Sequence, residues 1–144
     1  MKRHYGTVRG LAAGYLKDIG LADDVAQEAF IAAFTDLSSL RDGNQFRSWV
    51  CSIAINLCKM QLRKPKFEES GIDPDGIPRL NVSPDEAYER EERRRQIQDV
   101  LECLPEGERD AVVLYHLLGE SLNSVSEALA ISKNAVKVRL HRGR

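Results

Sequence analysis

Cationic side chains are concentrated at the carboxyl end of this 144-residue chain. From residue 133 to residue 144 every charged side chain is a lysine or an arginine. Residues 129–132 (LAIS) are predicted to form a tight turn, and Ser132 can cap the helix that follows. A short helix is predicted before the turn, at residues 122–129. This order of helix, turn and basic helix is typical of a helix-turn-helix, whose second helix enters the major groove of DNA.

The predicted helix-turn-helix has an apolar core and a polar recognition surface. Helical spacing places the following side chains in the core: Val125, Leu129, Ile131, Val136 and Leu140. The side chains that could contact phosphates or base edges are Ser132, Lys133, Asn134, Lys137, Arg139, His141 and Arg142. Lys133 and Asn134 stand at the start of the helix, where bases are usually read. The competing interpretation is an ordinary helical hairpin with a basic surface.

A second group of cationic, aromatic and amide side chains lies on a helix predicted at residues 46–64. Cations can meet phosphates while aromatic faces and amides meet unstacked bases, so this mixture suits a single DNA strand. The group comprises Phe46, Arg47, Trp49, Asn56, Lys59, Gln61, Arg63 and Lys64. The apolar side of the same helix is predicted to contain Trp49, Val50, Ile53, Ala54 and Leu57. The alternative is that Trp49 is a core residue beside a solvated basic face.

A third surface lies on the helix predicted at residues 21–37, with Asp23 or Asp24 as its cap. Three- and four-residue spacing predicts a buried face made of Ala26, Phe30, Ala33, Phe34 and Leu37. The opposite face is expected to carry Asp24, Gln27, Glu28, Ile31 and Ala32. An acidic surface with an exposed isoleucine can dock a partner helix. The competing interpretation is a solvated helix face.

The chain is predicted to be all-α, with two small helical domains joined by a flexible linker. The first domain, residues 1–64, adds a helix at residues 5–18, and residues 38–45 are a loop. The linker, residues 65–84, contains Pro65, Gly71, Pro74, Gly76, Pro78 and Pro84, which oppose long helices. The second domain, residues 85–144, adds helices at 85–103 and 106–118. The first of these is predicted to use a core face of Ile97, Val100, Leu101 and Leu104.

Composition excludes several classes of protein. The net charge is −1, so the chain is not a generally basic nucleic-acid coat, although residues 65–104 are rich in acid. The cysteines, Cys51, Cys58 and Cys103, form no C-x-x-C pair, which argues against a disulfide framework or a zinc site. They are expected to be small buried side chains in a reducing cytosol, with redox sensing as the alternative. Without a signal peptide or a long apolar stretch, the chain is expected to be cytoplasmic.

The sequence contains no pattern that predicts catalysis. His4, His116 and His141 are far apart and have no carboxylate or nucleophile at a telling spacing. The glycines of the amino-terminal segment lie within a helical pattern, which differs from a phosphate-binding loop between strand and helix. We therefore expect no enzyme activity, no cofactor, no metal and no small-molecule substrate.

Together these segments resemble a bacterial RNA polymerase sigma factor of the extracytoplasmic-function group of the sigma-70 family. Residues 23–30 (DDVAQEAF) resemble the family's D-x-x-Q-E-x-F segment. Residues 46–50 (FRSWV) and 53–57 (IAINL) resemble its F-R-x-W-L and I-A-x-N segments. Residues 104–109 (LPEGER) and 136–142 (VKVRLHR) resemble its fourth region. The resemblance extends over nearly the whole chain, and the order of the segments is more specific than any one of them.

The resemblance implies a role for each surface. The outward face of the 21–37 helix would dock on the clamp coiled coil of the β′ subunit of core RNA polymerase, and the flap of the β subunit would be a further partner. The second domain would read the minus-thirty-five element through the residues of the basic helix. Melting and capture of the minus-ten element would use Leu40, Arg41, Asp42, Gly43, Asn44, Arg47, Asn56, Lys59, Met60, Arg63 and Lys64. An anti-sigma factor is the expected regulator, and one anchored in the membrane would hold the chain there.

The chain departs from the family pattern at a few positions. Ile55 stands where arginine is common, Met60 where aspartate is frequent, and Ala130 where the turn usually has glycine. A left-handed Ala130 would cost about 1 kcal/mol. The family's last helix typically continues past Arg144, so truncation at one or both ends is expected. The alternatives to an initiation factor are a stand-alone helix-turn-helix regulator and an adaptor whose basic helix meets an acidic protein.

Overall fold

The computed structural model describes residues 2–64 and 84–144, and these residues form α-helices and short turns without a strand. The all-α prediction is therefore confirmed. The helices are α1 (Lys2–Leu16), α2 (Ile19–Thr35), α3 (Phe46–Arg63), α4 (Pro84–Glu102), α5 (Glu106–Val112), α6 (Leu122–Ala128) and α7 (Lys133–Arg142). The predictions made for Pro65, Gly71, Pro74, Gly76 and Pro78 lie outside the described residues. Pro84, predicted to belong to the linker, begins α4.

The helices α1, α2 and α3 pack on one another as a three-helix bundle. Helix α2 begins earlier than predicted, and its cap is Asp18, whose side chain accepts a hydrogen bond from the Leu21 amide at 2.9 Å. The predicted cap, Asp23 or Asp24, is thus wrong, because both residues lie inside the helix. Asp23 instead forms an ion pair with Arg9 of α1 at 2.5 Å.

Small side chains allow the three helices to approach closely. The fully buried residues of the bundle are Val8, Ala12, Ala22, Val25, Ala26, Ala29, Ala33, Val50, Cys51, Ala54 and Cys58. Phe34 and Leu37 were predicted to be buried but are exposed by 47% and 45%. The alanine-rich contact is narrow, so Phe34, one residue past Ala33, turns away from it. Leu37 follows the end of α2, in the short 3-10 turn Leu37–Ser39.

The buried side of α3 differs from the predicted side. Val50 and Ala54 are buried as expected, whereas Trp49, Ile53 and Leu57 are half-buried. Ile55 is fully buried instead, which explains why an apolar residue is accommodated at a position where the family often has arginine. The reason for the difference is that α3 packs on α1 and α2 and is also covered by α6, so it has more than one buried stripe.

The cysteines do not share one environment. Cys51 and Cys58 are buried in α3, and burial raises the pKa of each thiol to about 12. Cys103, which was expected to be buried, is exposed at the junction between α4 and α5. It follows α4 by one residue, outside the packed core. All three thiols are free.

In the second domain, α5 and α6 both pack on α7. The helix predicted at 106–118 is regular only as far as Val112 and then widens into a π-helical segment, Val113–Leu117. The Leu118 amide accordingly donates to the Val113 carbonyl at 3.0 Å. Gly119 then leaves the helix at a φ of 68°.

The predicted core face of α4 is wrong in part. Ile97 and Val100 are exposed by 46% and 64%, and Leu101 and Leu104 are half-buried. The reason is that α4 stands beside α1 across an open groove, so that Ile97 and Leu101 line the groove. The exposed side of α4 carries ion pairs four residues apart, between Glu89 and Arg93 and between Glu91 and Arg95.

The helix-turn-helix is formed as predicted. Ser121 and Ser132 cap α6 and α7 by accepting hydrogen bonds from the Ser124 and Ala135 amides, each at 3.1 Å. Ala130 in the turn has a φ of 52°, the left-handed conformation in which a side chain is strained. The predicted core side chains of the helix-turn-helix are buried or half-buried between its helices: Val125, Leu129, Ile131, Val136 and Leu140.

Candidate polymerase and nucleic-acid interfaces

The outward face of α2 presents acids around an apolar patch. Asp24, Gln27, Glu28 and Ile31 are exposed, and Ala32 is half-buried beside them. Ile31 is exposed by 67%. The opposite side of α2 packs on α1 and α3 through buried alanines, so this face is the one exposed to solvent.

The apolar part of this face is larger than the sequence predicted. Gln27, Ile31 and Phe34 follow one another at four- and three-residue spacing and so share one side of α2. Phe34, predicted to belong to the core by its spacing from Phe30, therefore extends the exposed surface that begins at Ile31, and Leu37 is exposed just past the end of the helix. The exposure of Phe34 could have been predicted by counting three- and four-residue steps from exposed Ile31 instead of from buried Phe30.

The loop between α2 and α3 is built from two short turns. Leu37–Ser39 and Gly43–Gln45 are single 3-10 turns, and the Asp42 side chain accepts a hydrogen bond from the Asn44 amide at 2.9 Å. The predicted capture residues Arg41, Asp42, Gly43 and Asn44 are all exposed, and Leu40 is half-buried. The loop thus holds a fixed shape while its side chains remain accessible.

An aromatic cluster anchors the start of α3. The Phe46 ring centroid lies 6.1 Å from that of Trp49 and 6.4 Å from that of Phe30 in α2. Trp49 is half-buried and packs against the core. It also lines a small pocket with Leu40 and Arg41 on one side and Ala128 on the other. Trp49 therefore serves as a core residue at the point where the loop meets the second domain.

The predicted minus-ten residues of α3 fall into two groups. Asn56, Met60, Arg63 and Lys64 are exposed, whereas Arg47 and Lys59 are partly buried. Arg47 pairs with Glu120, whereas Lys59 and Arg63 both meet Glu106 of α5. These cations face the second domain, which α3 also contacts through α6.

Arg47 is held by the second domain. Its Nε donates to Glu120 at 2.6 Å, and a terminal nitrogen donates to the Leu118 carbonyl. The π-helical end of α5 and the left-handed Gly119 bring these two acceptors to the same guanidinium group. Glu120 is nearly buried, with 11% of its side chain exposed, so water screens this pair less than a surface pair.

Lys59 is shared by two acids of α5. Its ammonium group contacts Glu106 at 3.0 Å and also Asp110, whose side chain is only 4% exposed. The Tyr15 hydroxyl donates to the other oxygen of Asp110 at 2.9 Å. Arg63 lies 3.6 Å from Glu106. The buried carboxylate of Asp110, in the second domain, is thereby bonded by two side chains of the first domain.

Two pKa shifts reflect these contacts. Hydrogen bonding and attraction from Lys59 lower the pKa of the Glu106 carboxyl below its usual value. Burial, with the adjacent Asp110 carboxylate, raises the pKa of the Tyr15 phenol far above its usual value, so this hydroxyl remains a proton donor. Both shifts favour the protonation states that make the contacts.

The sequence did not identify Glu106, Asp110 and Glu120 as parts of any surface. Asp110 lies 51 residues from Lys59, and Glu120 lies 73 residues from Arg47. No local spacing relates groups so far apart along the chain, and their pairing arises from the packing of one domain on the other.

The recognition side chains of α7 are accessible. Ser132, Lys133, Asn134, Lys137, His141 and Arg142 are exposed. Arg139 is half-buried, and its guanidinium lies over Gly107, where an added Cβ would be 3.1 Å from Cζ. Most of the predicted minus-thirty-five surface is therefore open, while Arg139 also braces α7 against α5.

Among residues 2–64 and 84–144, no group of three or more His, Cys, Asp or Glu side chains could hold a metal ion. The helices formed by these residues include none that is long and apolar enough to cross a membrane.

Family models match both halves of the chain. Sigma-70 region 2 matches residues 1–67, and Sigma-70, region 4, matches residues 94–144. The ECF RNA polymerase sigma factor SigW of Bacillus subtilis is 32% identical over 139 residues, which cover 90% of this chain and 74% of SigW. The ECF RNA polymerase sigma-E factor of Escherichia coli K12 is 30% identical over 152 residues, 99% of this chain and 79% of that protein. For the probable RNA polymerase sigma factor RfaY of Xanthomonas campestris, also 30% identical, the match spans 36% of its length.

Solved structures share the fold. CnrH, in complex with the cytosolic domain of CnrY, superposes with a TM-score of 0.69 at 24% identity, over 99% of this chain and 79% of that chain. RpoE from Bartonella quintana, in complex with the anti-sigma factor NepR, gives 0.65 at 19% identity, over 97% and 86%. Since both family models and relatives of 30% identity or more agree, the chain is a transcription initiation factor and belongs to the sigma-70 family, in its extracytoplasmic-function group.

Proposed function

We propose that this sigma factor docks on core RNA polymerase through the outward face of α2 and recognises promoters through two further surfaces. The observation that carries the docking assignment is the exposed apolar patch Ile31, Phe34 and Leu37 beside Glu28. Contiguous apolar side chains on an otherwise packed bundle favour a protein interface. The family resemblance makes the clamp coiled coil of β′ the docking partner and the β flap a second contact.

The minus-ten surface is proposed to consist of the 37–45 loop and the cationic side of α3. The loop offers exposed Arg41, Asp42 and Asn44 to an extruded base, and α3 offers exposed Asn56, Arg63 and Lys64 to the strand. Arg47 and Lys59 belong to the same proposed surface and bond to carboxylates of the second domain in this structure. Ile55 is not part of this surface because it is buried. Met60 is exposed and would give the strand an apolar contact in place of a carboxylate.

The minus-thirty-five surface is proposed to be the exposed side of α7. Lys133 and Asn134 follow the Ser132 cap and would enter the groove first, where base edges are read. Lys137 and Arg142 lie farther along the helix and would bind phosphates. Duplex binding of this kind depends steeply on salt because counterions are released.

The remaining proposals concern setting and regulation. The chain would work in the cytoplasm, where polymerase and promoters are, and would have no catalysis of its own. An anti-sigma factor is the proposed regulator, as NepR is bound to RpoE of Bartonella quintana. The proposed domains are residues 1–64 and 85–144, with residues 65–84 as the linker.

Reconstitution with bacterial core polymerase tests the proposal. The chain and core enzyme are passed together over size exclusion, and the complex transcribes a pooled promoter library, with core enzyme alone as the control. Co-elution with transcripts that start at defined positions is expected. Duplex binding without co-elution would contradict the proposal and favour a regulator that acts without polymerase.

A further inference from the structure

A groove between α1 and α4 gathers apolar side chains from several helices. Its volume is about 1240 Å³, a little above the roughly 300–1,000 Å³ of clefts that hold small ligands. Leu21 of α2, Leu62 of α3, Ile97 of α4 and Leu117 line it, and all of them are exposed. Exposed apolar side chains that meet in one concave place indicate a binding site, whereas the same side chains scattered singly do not.

Two glycines of α1 keep the groove open. Gly10 and Gly14 are four residues apart, so both face the groove from the same side of the helix. A Cβ added to Gly10 would meet no atom within 4 Å, and one added to Gly14 would meet only the side-chain nitrogen of Gln98, at 4.0 Å. Glycine lowers the stability of a helix interior, so the open space is maintained against local helix preference.

The α4 side of the groove carries arginines. Arg90, Arg93 and Arg94 line the groove, as do Ile97 and Leu101 farther along the same helix. Arg93 lies 3.7 Å from Glu89 of its own helix. Within the described ranges 2–64 and 84–144, no ion pair engages Arg90 or Arg94. These two guanidinium groups can therefore bind an anion without first losing a carboxylate.

The acids of the groove are engaged elsewhere. Asp18 caps α2 through the Leu21 amide, and Glu102 pairs with Lys17 at 2.5 Å. Arg109, which also lines the groove, donates to backbone carbonyls at the end of α4. The charge left to meet a ligand is thus positive, although the whole chain has a net charge of −1.

The groove separates charge from apolar surface by end. Arg90 and Ile97 are seven residues apart, as are Arg94 and Leu101, which is about 10 Å along a helix. One end of the α4 wall is therefore cationic and the other is apolar. An acidic amphipathic helix separates its charges from its apolar side chains by face. An acyl chain that ends in a carboxylate separates them by end, as this groove does.

We propose that the groove between α1 and α4 binds a monomeric long-chain carboxylate, with its acyl chain against Ile97, Leu101 and Leu117 and its carboxylate on Arg90 and Arg94. None of the residues assigned above to polymerase or promoter lines this groove. The ligand contacts both domains of the folded chain, so binding should raise the melting temperature of the protein.

Ligand binding is tested first on the unsubstituted full-length chain. Laurate is titrated below its micellar concentration by calorimetry, and thermal unfolding is followed with and without it. Dodecyltrimethylammonium, which has an alkyl chain of similar length and the opposite charge, is the ligand control. Saturable binding of one laurate with a raised melting temperature is expected, and the cationic ligand should bind more weakly. Absence of laurate binding, or equal binding of the two ligands, would overturn the proposal.

A filled groove gives the sharper test. Gly10→Leu places a side chain in the groove and improves helix propensity, so the variant should fold at least as well as the unsubstituted chain. Gly6→Leu is the matched control, because Gly6 lies on the same helix outside the groove and also has open space around it. Gly10→Leu should weaken laurate binding about 15-fold, as expected for the loss of two buried methylene contacts. Equal affinities for the two variants would contradict binding in the groove.

The position of the carboxylate is tested by two neighbouring arginines. Arg94 lines the groove, whereas Arg95 pairs with Glu91 outside it. Arg94→Gln should weaken laurate binding about threefold, within the range for an exposed ion pair, and Arg95→Gln should leave it unchanged. Equal effects would overturn the assignment of the carboxylate. Binding to phosphatidylglycerol vesicles without binding of monomeric laurate would identify a membrane surface as the ligand and overturn the proposal.

Discussion

The outward face of α2 and the cationic side of α3 belong to one bundle, and they differ in what covers them. Ile31 and Phe34 on α2 are exposed, whereas Arg47 and Lys59 on α3 meet carboxylates of the second domain. The difference is one of accessibility: the outward face of α2 is exposed to solvent, and the two cations of α3 are engaged by carboxylates.

The largest expected effect is on the open face. Glu28→Lys should weaken binding to core polymerase by about 100-fold or more, because juxtaposed like charges at an interface cost several kcal/mol. Glu28 is exposed and outside the core, so the fold should be unchanged. Affinity for core enzyme is measured by titration, with Glu91→Lys on α4 as the matched control.

If Glu28→Lys bound core enzyme as the unsubstituted chain does, α2 would not be the docking face. The exposed side chains of Ile31, Phe34 and Leu37 would then be a surface for a partner other than core polymerase.

A smaller effect is expected on the recognition helix. Arg139→Ala should weaken duplex binding and lower the slope of log affinity against log salt by about 1, as for loss of one phosphate contact. Because Arg139 also packs over Gly107, thermal unfolding of the variant is measured alongside. An unchanged slope in a folded protein would mean that Arg139 braces α7 and does not contact DNA.

Low pH should weaken the contact between α3 and α5, because it protonates Glu106. Lys59, with Arg63 and Arg109 nearby, holds the pKa of Glu106 below its usual value, so this carboxylate stabilises the contact fully above that value. As the pH falls through the lowered pKa, the carboxyl is protonated and its share of the contact is lost. Quenching of Trp49 fluorescence by acrylamide should rise over that pH interval in the folded chain, and the Glu106→Gln variant should show a smaller rise. Equal curves of quenching against pH for the two proteins would show that Glu106 does not stabilise the contact.

The smallest effect concerns the turn of the helix-turn-helix. Ala130→Gly relieves the strain of a left-handed alanine, about 1 kcal/mol, but glycine also gains freedom in the unfolded chain. The net change in unfolding free energy should be stabilising and below about 1 kcal/mol by the same reasoning. Denaturant unfolding measures it, and a destabilised variant would mean that the Ala130 methyl contributes packing that exceeds its strain.

Local rules predicted much of the second domain. The Ser132 cap and the tight turn at residues 129–132 depend on neighbours within a few residues, and both are found in the structure. The α2 cap was misplaced because Asp18, Asp23 and Asp24 are equivalent by type. Only the start of the helix, fixed by packing on α1, distinguishes them.

Packing between domains could not be predicted in the same way. No local pattern singles out Asp110, yet it is buried and bonded by groups from α1 and α3. Phe34 and Ile97 were assigned to cores because hydrophobicity was taken to imply burial. Which apolar face is covered depends on how closely the helices approach, and alanines in α2 and the groove beside α4 decide that.

The unequal exposure of the cysteines gives this chain one chemically distinct position. Thiolates are the reactive form of cysteine, and burial keeps Cys51 and Cys58 protonated at neutral pH. Cys103 is exposed between α4 and α5, so a maleimide added near pH 7 should attach there alone. A fluorophore or a surface tether can thus be placed on the second domain of the natural sequence, which would allow single molecules to be watched as they join polymerase.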